Sequence, residues 1–417
     1  MIDMTSLSTY EVSTLLLCVV AAMAYINEKF VRLPTAIGLM SISLAVSLAL
    51  VALNNFGFAF DQQVASFIQQ IDFYEALMEG MLSFLLFAGA LHVDLNELKE
   101  QKWPVLTFAT VGLMTSIGLI GGSTWLLFNW ADLDISIWYC LLFGSLISPT
   151  DPIAVLALLK NSTAPRSLRV KIAGESLFND GVGVVAFLVL LGIATGSKEA
   201  TLANIGGLFF QEAGGGIIFG LMLGWLCNAL LKSIDNYVVE VLLSLAMVMG
   251  GYNLAMSFHL SGPIAMVVAG LMVGNHGRKE AMSDVTRDHL DKFWLLIDEI
   301  LNSVLFVLIG LEVLLISFDF KEIALGLVII PLVLLIRLLS LSIPITLMKT
   351  FHNFSHNIAK IMTWGGLRGG ISVALVLSLP QGPERDILMV ATYMVVVFSI
   401  IVQGLTFTKF LEKFPPK

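Results

Sequence analysis

Residues 148–152 read SPTDP, and they stand inside an apolar run from 137 to 159 that is long enough to cross a lipid bilayer. Pro149 and Pro152 each remove an amide donor and clash with the preceding turn, so the helix breaks around Thr150 and Asp151. A second run, 358–379, is interrupted by WGGLRGG at 364–370, where four glycines flank Leu367 and Arg368. How the two breaks relate in space depends on the number of spans between them.

The composition sets the frame for that count. With 417 residues, 57% hydrophobic, 13% charged and a mean hydropathy of +0.89, the chain is an all-α polytopic membrane protein, a single transmembrane domain over 1–417. No basic patch with interleaved aromatics points to nucleic acid. Cys18, Cys140 and Cys227 lack paired spacing, so neither a disulfide framework nor a zinc site is expected, and nothing calls for a cofactor. Met1–Glu11 lacks a basic n-region, which makes the first apolar run a retained helix. Few residues follow the last span, so no soluble regulatory tail is expected.

Runs long enough for about 30 Å of hydrocarbon number thirteen, at 12–27, 35–53, 73–93, 103–128, 137–159, 172–194, 205–231, 237–257, 261–275, 293–316, 323–349, 358–379 and 386–410. Of the 23 lysines and arginines, eighteen follow odd-numbered runs or lie in the C-terminal tail. Only Lys198, Lys321 and Arg385 fall on the other side, and Arg337 and Arg368 lie within helices. By the positive-inside rule the N-terminus is outside and the C-terminus cytoplasmic, as in a multi-pass membrane protein.

The broken runs are the fifth and the twelfth. If 12–194 is one set of six and 237–410 a second, with 205–231 as linker, each break is the fifth member of its set and the sets are inverted. Paired broken helices at matching positions of inverted halves mark a secondary transporter, not an enzyme, with substrate held where they cross.

The stretch GESLFNDGVG, 174–183, places Glu175, Asn179 and Asp180 in an apolar segment, where an ionisable group marks an ion or proton pathway. Counted from the cytoplasmic ends of their runs, Asp151, Asp180, Arg337 and Arg368 all lie ~13–18 Å deep. Ser176, four residues before Asp180, shares its helix face, and Gly181 and Gly183 let a neighbour approach. A carboxylate, a hydroxyl and carbonyls freed at Thr150 make an oxygen-rich site for a small alkali cation, placing Na+ at Asp180, Ser176 and Thr150. One carboxylate that holds either a proton or a cation is the minimal chemistry of an exchanger. Asp151 would satisfy amide donors freed by the breaks, and Arg368 the exposed carbonyl ends. Arg337 needs an acidic partner. Glu175 is the candidate, though the count puts it only ~6 Å deep. Glu75, Glu79, Glu212, Glu240, Asp298, Glu299 and Glu312 read mostly as interfacial, and the six histidines, His356 among them, lie near predicted ends.

SPTDPIAVLALLK at 148–160, GESLFNDGVGVV at 174–185 and GGLRGG at 365–370 resemble the monovalent cation:proton antiporter-1 family, the sodium/proton exchangers, and the similarity spans nearly the whole chain. The resemblance implies a homodimer of inverted repeats. In it a core of 103–194 and 323–410 moves against a dimerisation scaffold of 12–93 and 237–316. It implies that Asp180 binds the ion and the proton beside Asn179, with Ser176 and the Thr150 backbone as ligands, Asp151 as a supporting acid, and Glu175 bridged to Arg337. Partners are then monovalent cations, protons and membrane lipids. Relatives with Asn before Asp exchange one cation for one proton, since Asn179 adds no titratable charge. Many prokaryotic relatives carry a carboxylate where this chain has Ala88, and fewer charged oxygens hold a small, strongly hydrated ion less well, so a potassium/proton exchanger is the alternative to exchange of sodium and lithium. From other classes, a cation channel disagrees with inverted broken helices, and an intramembrane aspartyl protease lacks its usual GxGD motif at Asp180.

Overall fold

The computed structural model describes residues 8–54, 68, 70–160, 164–197, 201–277, 282–316, 319–352, 354–355 and 357–415. Lys198, Arg278, Lys279, His356, Lys417 and part of the 12–93 segment lie outside these described residues. The principal helices run in chain order as α1 (Thr9–Val31), α2 (Thr35–Leu53), α3 (Phe73–Leu91), α4 (Lys102–Trp130) and α5 (Ile137–Ile147). There follow α6 (Ile153–Lys160), α7 (Arg166–Ala194), α8 (Ile205–Lys232), α9 (Tyr237–Ser257) and α10 (Gly262–Met272). The last five are α11 (Asp284–Leu315), α12 (Phe320–Met348), α13 (Ile358–Trp364), α14 (Gly370–Leu377) and α15 (Pro383–Lys413). Among the described residues ten of these are long and apolar enough to cross a membrane, and α5, α6, α10, α13 and α14 are the shorter ones. The chain is all-α, and its one isolated β-bridge among the described residues pairs Asp151 with Leu367.

Several helices begin before their apolar runs do. Ser283 caps α11, its hydroxyl accepting the Thr286 N–H at 3.3 Å, so the helix starts at Asp284 and not at 293. Pro165 stands before α7, which starts at Arg166 and not at 172. Hydropathy marks only the part of a helix that meets lipid, and a capped polar turn carries the helix beyond it. At the other end of α1, a π-helical turn at Asn27–Val31 prolongs the helix to Arg32, whose φ of 59° ends it.

Prolines act according to their company. Pro331 and Pro344 sit inside α12 without ending it; lone prolines in membrane helices are tolerated where neighbours satisfy the freed backbone. Pro149 and Pro152, three residues apart, do separate α5 from α6. Helix α7 runs beside that break, and Asp180 is its middle residue. A Cβ at Gly183 would overlap the Pro149 ring, and one at Gly181 would stand 2.7 Å from Ile264 Cγ1 of α10, so only glycine permits both contacts.

Candidate ion-binding site

The two interruptions meet. The Asp151 N–H donates to the Leu367 carbonyl at 2.8 Å. The Asp151 side chain accepts the Ile153 N–H at 2.9 Å, placing a carboxylate on the first turn of α6, where unpaired amides collect. From the other break, Arg368 Nη1 donates to the carbonyls of Ser148 and of Pro149, the latter at 2.8 Å, closing the end of α5 with a positive charge. Each charged residue therefore sits where the broken-helix backbone presents the opposite partial charge.

Two residues not foreseen in the sequence complete the crossing. Gln403 Nε2 donates to the Trp364 carbonyl at 2.9 Å and so closes α13, while the Arg368 N–H donates to Ser399 Oγ at 3.0 Å. Both lie in a π-helical segment of α15, Ser399–Gln403, whose wider turn is a common feature of functional sites. Two polar residues four apart in an apolar run were the available signal.

Against the crossing, α7 presents its polar residues in two directions. Thr150 Oγ1 and Ser176 Oγ share a hydrogen bond at 3.0 Å. Asn179 Nδ2 donates to Thr150 Oγ1 at 3.0 Å, and Asn179 Oδ1 accepts the Thr150 N–H at 3.3 Å. All three side chains are buried. Asp180 faces elsewhere: with Asp151 it lines a cavity of about 610 Å³, and its carboxylate forms no hydrogen bond among the described residues. The structure thus brings Asp180 and Asp151 together on the cavity and gathers Thr150, Ser176 and Asn179 into an adjoining bonded cluster outside its lining.

Arg337 Nη2 lies 2.5 Å from Glu175 Oε1, and both side chains are 2% exposed. Depth counting missed this pair because it started α7 too late. From Arg166, Glu175 is ~13 Å in, against ~18 Å for Arg337 by the same count, a difference that a long arginine side chain spans. The same error hid Asp298 and Glu299, which read as interfacial but line the cavity once α11 starts at Asp284. Glu240 and Glu312, also read as interfacial, are buried.

Gly369 leaves the space that the Asp151 carboxylate fills, because a Cβ there would overlap it. Gly369→Ala is therefore expected to displace Asp151, cost about 1–3 kcal/mol of stability as other overpacked sites do, and slow transport. Thermal unfolding of the purified variant, with transport in vesicles, checks this; wild-type values for both would remove the contact from the site.

Comparison with known proteins follows the same geometry. A sequence model of the family described as "Sodium/hydrogen exchanger, transmembrane" matches residues 16–413. The chain is 48% identical over 389 residues to the Na(+)/H(+) antiporter NhaP of Pseudomonas aeruginosa, covering 92% of both chains. It is 32% identical over 408 residues to the Na(+)/H(+) antiporter NhaH of Halobacillus dabanensis, covering 96% of this chain and 97% of that one. Among solved structures, the sodium proton antiporter MjNhaP1 of Methanocaldococcus jannaschii superposes with a TM-score of 0.74 at 20% identity, covering 96% of this chain and 97% of that one, a likeness of fold.

Proposed function

The chain belongs to the transmembrane sodium/hydrogen exchanger family, and from that premise we propose that it exchanges sodium, and lithium, for protons, one for one, by alternating access. The observation that carries this reading is Asp180, a carboxylate at the middle of a membrane helix that faces a cavity and forms no hydrogen bond among the described residues. Protonated, it is neutral; deprotonated, it attracts one cation. Because the two occupants exclude each other, the site changes sides carrying the same net charge with either cargo, and Asn179 adds no further titratable group. Thr150 and Ser176 offer the adjoining oxygens, and the Asp151 and Arg368 caps keep the crossing intact.

The division into a core of 103–194 and 323–410 and a scaffold of 12–93 and 237–316 finds support in the cavity. One wall carries Asp151, Asp180 and Gly370 of the core, the other Ala88, Asp298 and Asn302 of the scaffold. Motion along that seam would turn Asp180 from one aqueous phase to the other. The thirteen-span count, inverted repeats and homodimer belong to the same reading, as does an N-terminus outside the bacterial inner membrane and a C-terminus in the cytoplasm. The cavity reaches the start of α2 and the end of α3, which lie on the basic and hence cytoplasmic side, and runs in to the middle of α11.

The names of the relatives give potassium no support. In everted vesicles with an imposed proton gradient, added sodium or lithium is expected to dissipate the gradient, and potassium to leave it. Clamping the membrane potential is expected to leave the rate unchanged. A rate that follows the potential would overturn the one-for-one exchange, and sodium flux indifferent to the proton gradient would point to a channel.

A further inference from the structure

The cytoplasmic mouth of the cavity carries a titratable side chain that exchange at Asp180 leaves without a role. His92 follows the last turn of α3 and lines the cavity, and the residue is exposed. Its Nδ1 lies 2.8 Å from the Ala88 carbonyl, one turn back. A carbonyl only accepts, so Nδ1 carries the hydrogen, and Nε2, across the ring, is the atom that gains and loses a proton. The backbone beyond the ring is pinned as well. Asn275, in the turn that closes α10, donates from Nδ2 to the Val93 carbonyl at 2.9 Å and accepts the Leu95 N–H on Oδ1 at 2.8 Å. His92 therefore has one tautomer and a fixed place at the opening. Among the described residues that line the cavity there is no lysine or arginine; its titratable groups are Asp151 at the break, Asp180 of α7, Asp298 and Glu299 of α11, and His92 itself. Of the other helices packed against α3, α10 brings His276 in its closing turn and α9 brings Glu240 in its first.

We propose that His92 is the proton relay between the cytoplasm and Asp180. Nε2 takes a proton from hydronium or a buffer acid at the mouth, and the imidazolium then gives it, through cavity water, to the Asp180 carboxylate as sodium leaves. The steps reverse when sodium enters. This relay rests on the exchanger reading above. Imidazole suits the task because it is the side chain whose charge changes between pH 5 and 8. A cavity of about 610 Å³ also has room for a chain of water molecules at about 30 Å³ each. Arrival rates give the relay its purpose: at pH 8 hydronium is ~10 nM, so even at a diffusion limit of ~10¹⁰ M⁻¹s⁻¹ it reaches a single site only about 100 times a second. That ceiling falls inside the usual range of turnover, about 1–10³ s⁻¹. An exposed imidazole that millimolar buffer can reload lifts it, whereas Asp180, at the middle of α7, is far from the buffer.

The test uses the full chain in everted vesicles, which turn the cavity to the medium. Radioactive sodium loaded inside leaves in exchange for protons taken from outside, so the cavity side must supply each proton. With both sides at pH 8, the interior well buffered and the medium at ~1 mM buffer, His92→Gln is expected to slow this efflux about threefold. Gln keeps an amide donor for the Ala88 carbonyl and loses only the titration. Adding ~50 mM imidazole to the medium, a base small enough to enter the cavity, should restore the variant and leave wild type unmoved. At pH 6.5, where hydronium is ~30-fold more abundant, the two should match. Rescue is read within one preparation, so a smaller yield of folded protein does not affect it, and His92→Asn serves as a second neutral variant. A wild-type rate in both variants at pH 8, or a slow rate that imidazole does not change, overturns the relay and leaves the exchanger standing. Wild-type protein that releases no sodium against protons in any buffer discards the exchanger, and the relay with it.

Discussion

Asp180→Asn is expected to reduce cation-coupled proton movement to the background of empty vesicles while the protein still inserts and folds. The amide matches the carboxylate in size, and no hydrogen bond among the described residues is lost with the charge. Replacing an unpaired acid at the middle of a membrane helix removes a desolvation cost, so stability should stay level or rise. Function has no such tolerance. An amide neither releases a proton nor offers a full negative charge, so neither half of the cycle can load. Asp180→Glu keeps the charge but moves it about one bond length further into the cavity, and should retain a reduced rate. The measurement is sodium-driven change in internal pH, with thermal unfolding of the purified protein as the check on folding. Sodium-dependent proton flux surviving in the Asn variant would take Asp180 out of the mechanism and pass the role to Asp151 or Asp298.

The sequence disclosed the chemistry of the crossing better than its geometry. Two prolines around Thr150 and Asp151, and four glycines around Arg368, announce broken helices because each acts locally on the backbone. The capping roles of Asp151 and Arg368 follow from helix ends alone. Hydropathy could not give the true helix starts, since polar turns at Arg166 and Asp284 precede the apolar runs. That single shortfall concealed both the level of Glu175 and the place of Asp298. Nor could helical spacing separate Ser176 from Asp180: an i,i+4 pair shares a face, yet Ser176 turns to Thr150 while Asp180 turns to the cavity. Which of two neighbouring surfaces a side chain meets is decided by the partner helix, and the partner is far away in the chain. Gln403 is the same case, a polar residue whose meaning depends on α13 ending opposite it.

Glu175→Gln is expected to destabilise the protein by about 3–5 kcal/mol, the cost of leaving one charge of a buried pair without the other. Arg337 has little else to turn to among the described residues: its buried Nε forms no hydrogen bond there, and its Nη2 meets the Glu175 carboxylate at 2.5 Å. The carboxylate also acts on a second buried guanidinium, since Arg368 interacts electrostatically with both Glu175 and Arg337. Losing Glu175 therefore leaves two neighbouring cations facing each other beside the crossing, and Arg368 is the one that closes α5. Arg337→Met should cost less, because Glu175 keeps Arg368 as an opposite charge. Removing both members, Glu175→Leu with Arg337→Met, takes away the repulsion and the desolvation together, and should recover much of the stability lost by Glu175→Gln. Thermal unfolding of the three variants orders these costs, and transport separates their meaning. If the pair only fastens α7 to α12, the double variant regains exchange along with stability. Should the double variant be stable and still slow, the Glu175 charge is holding Arg368 on the Ser148 and Pro149 carbonyls, and the ion pair acts on transport through the broken helix.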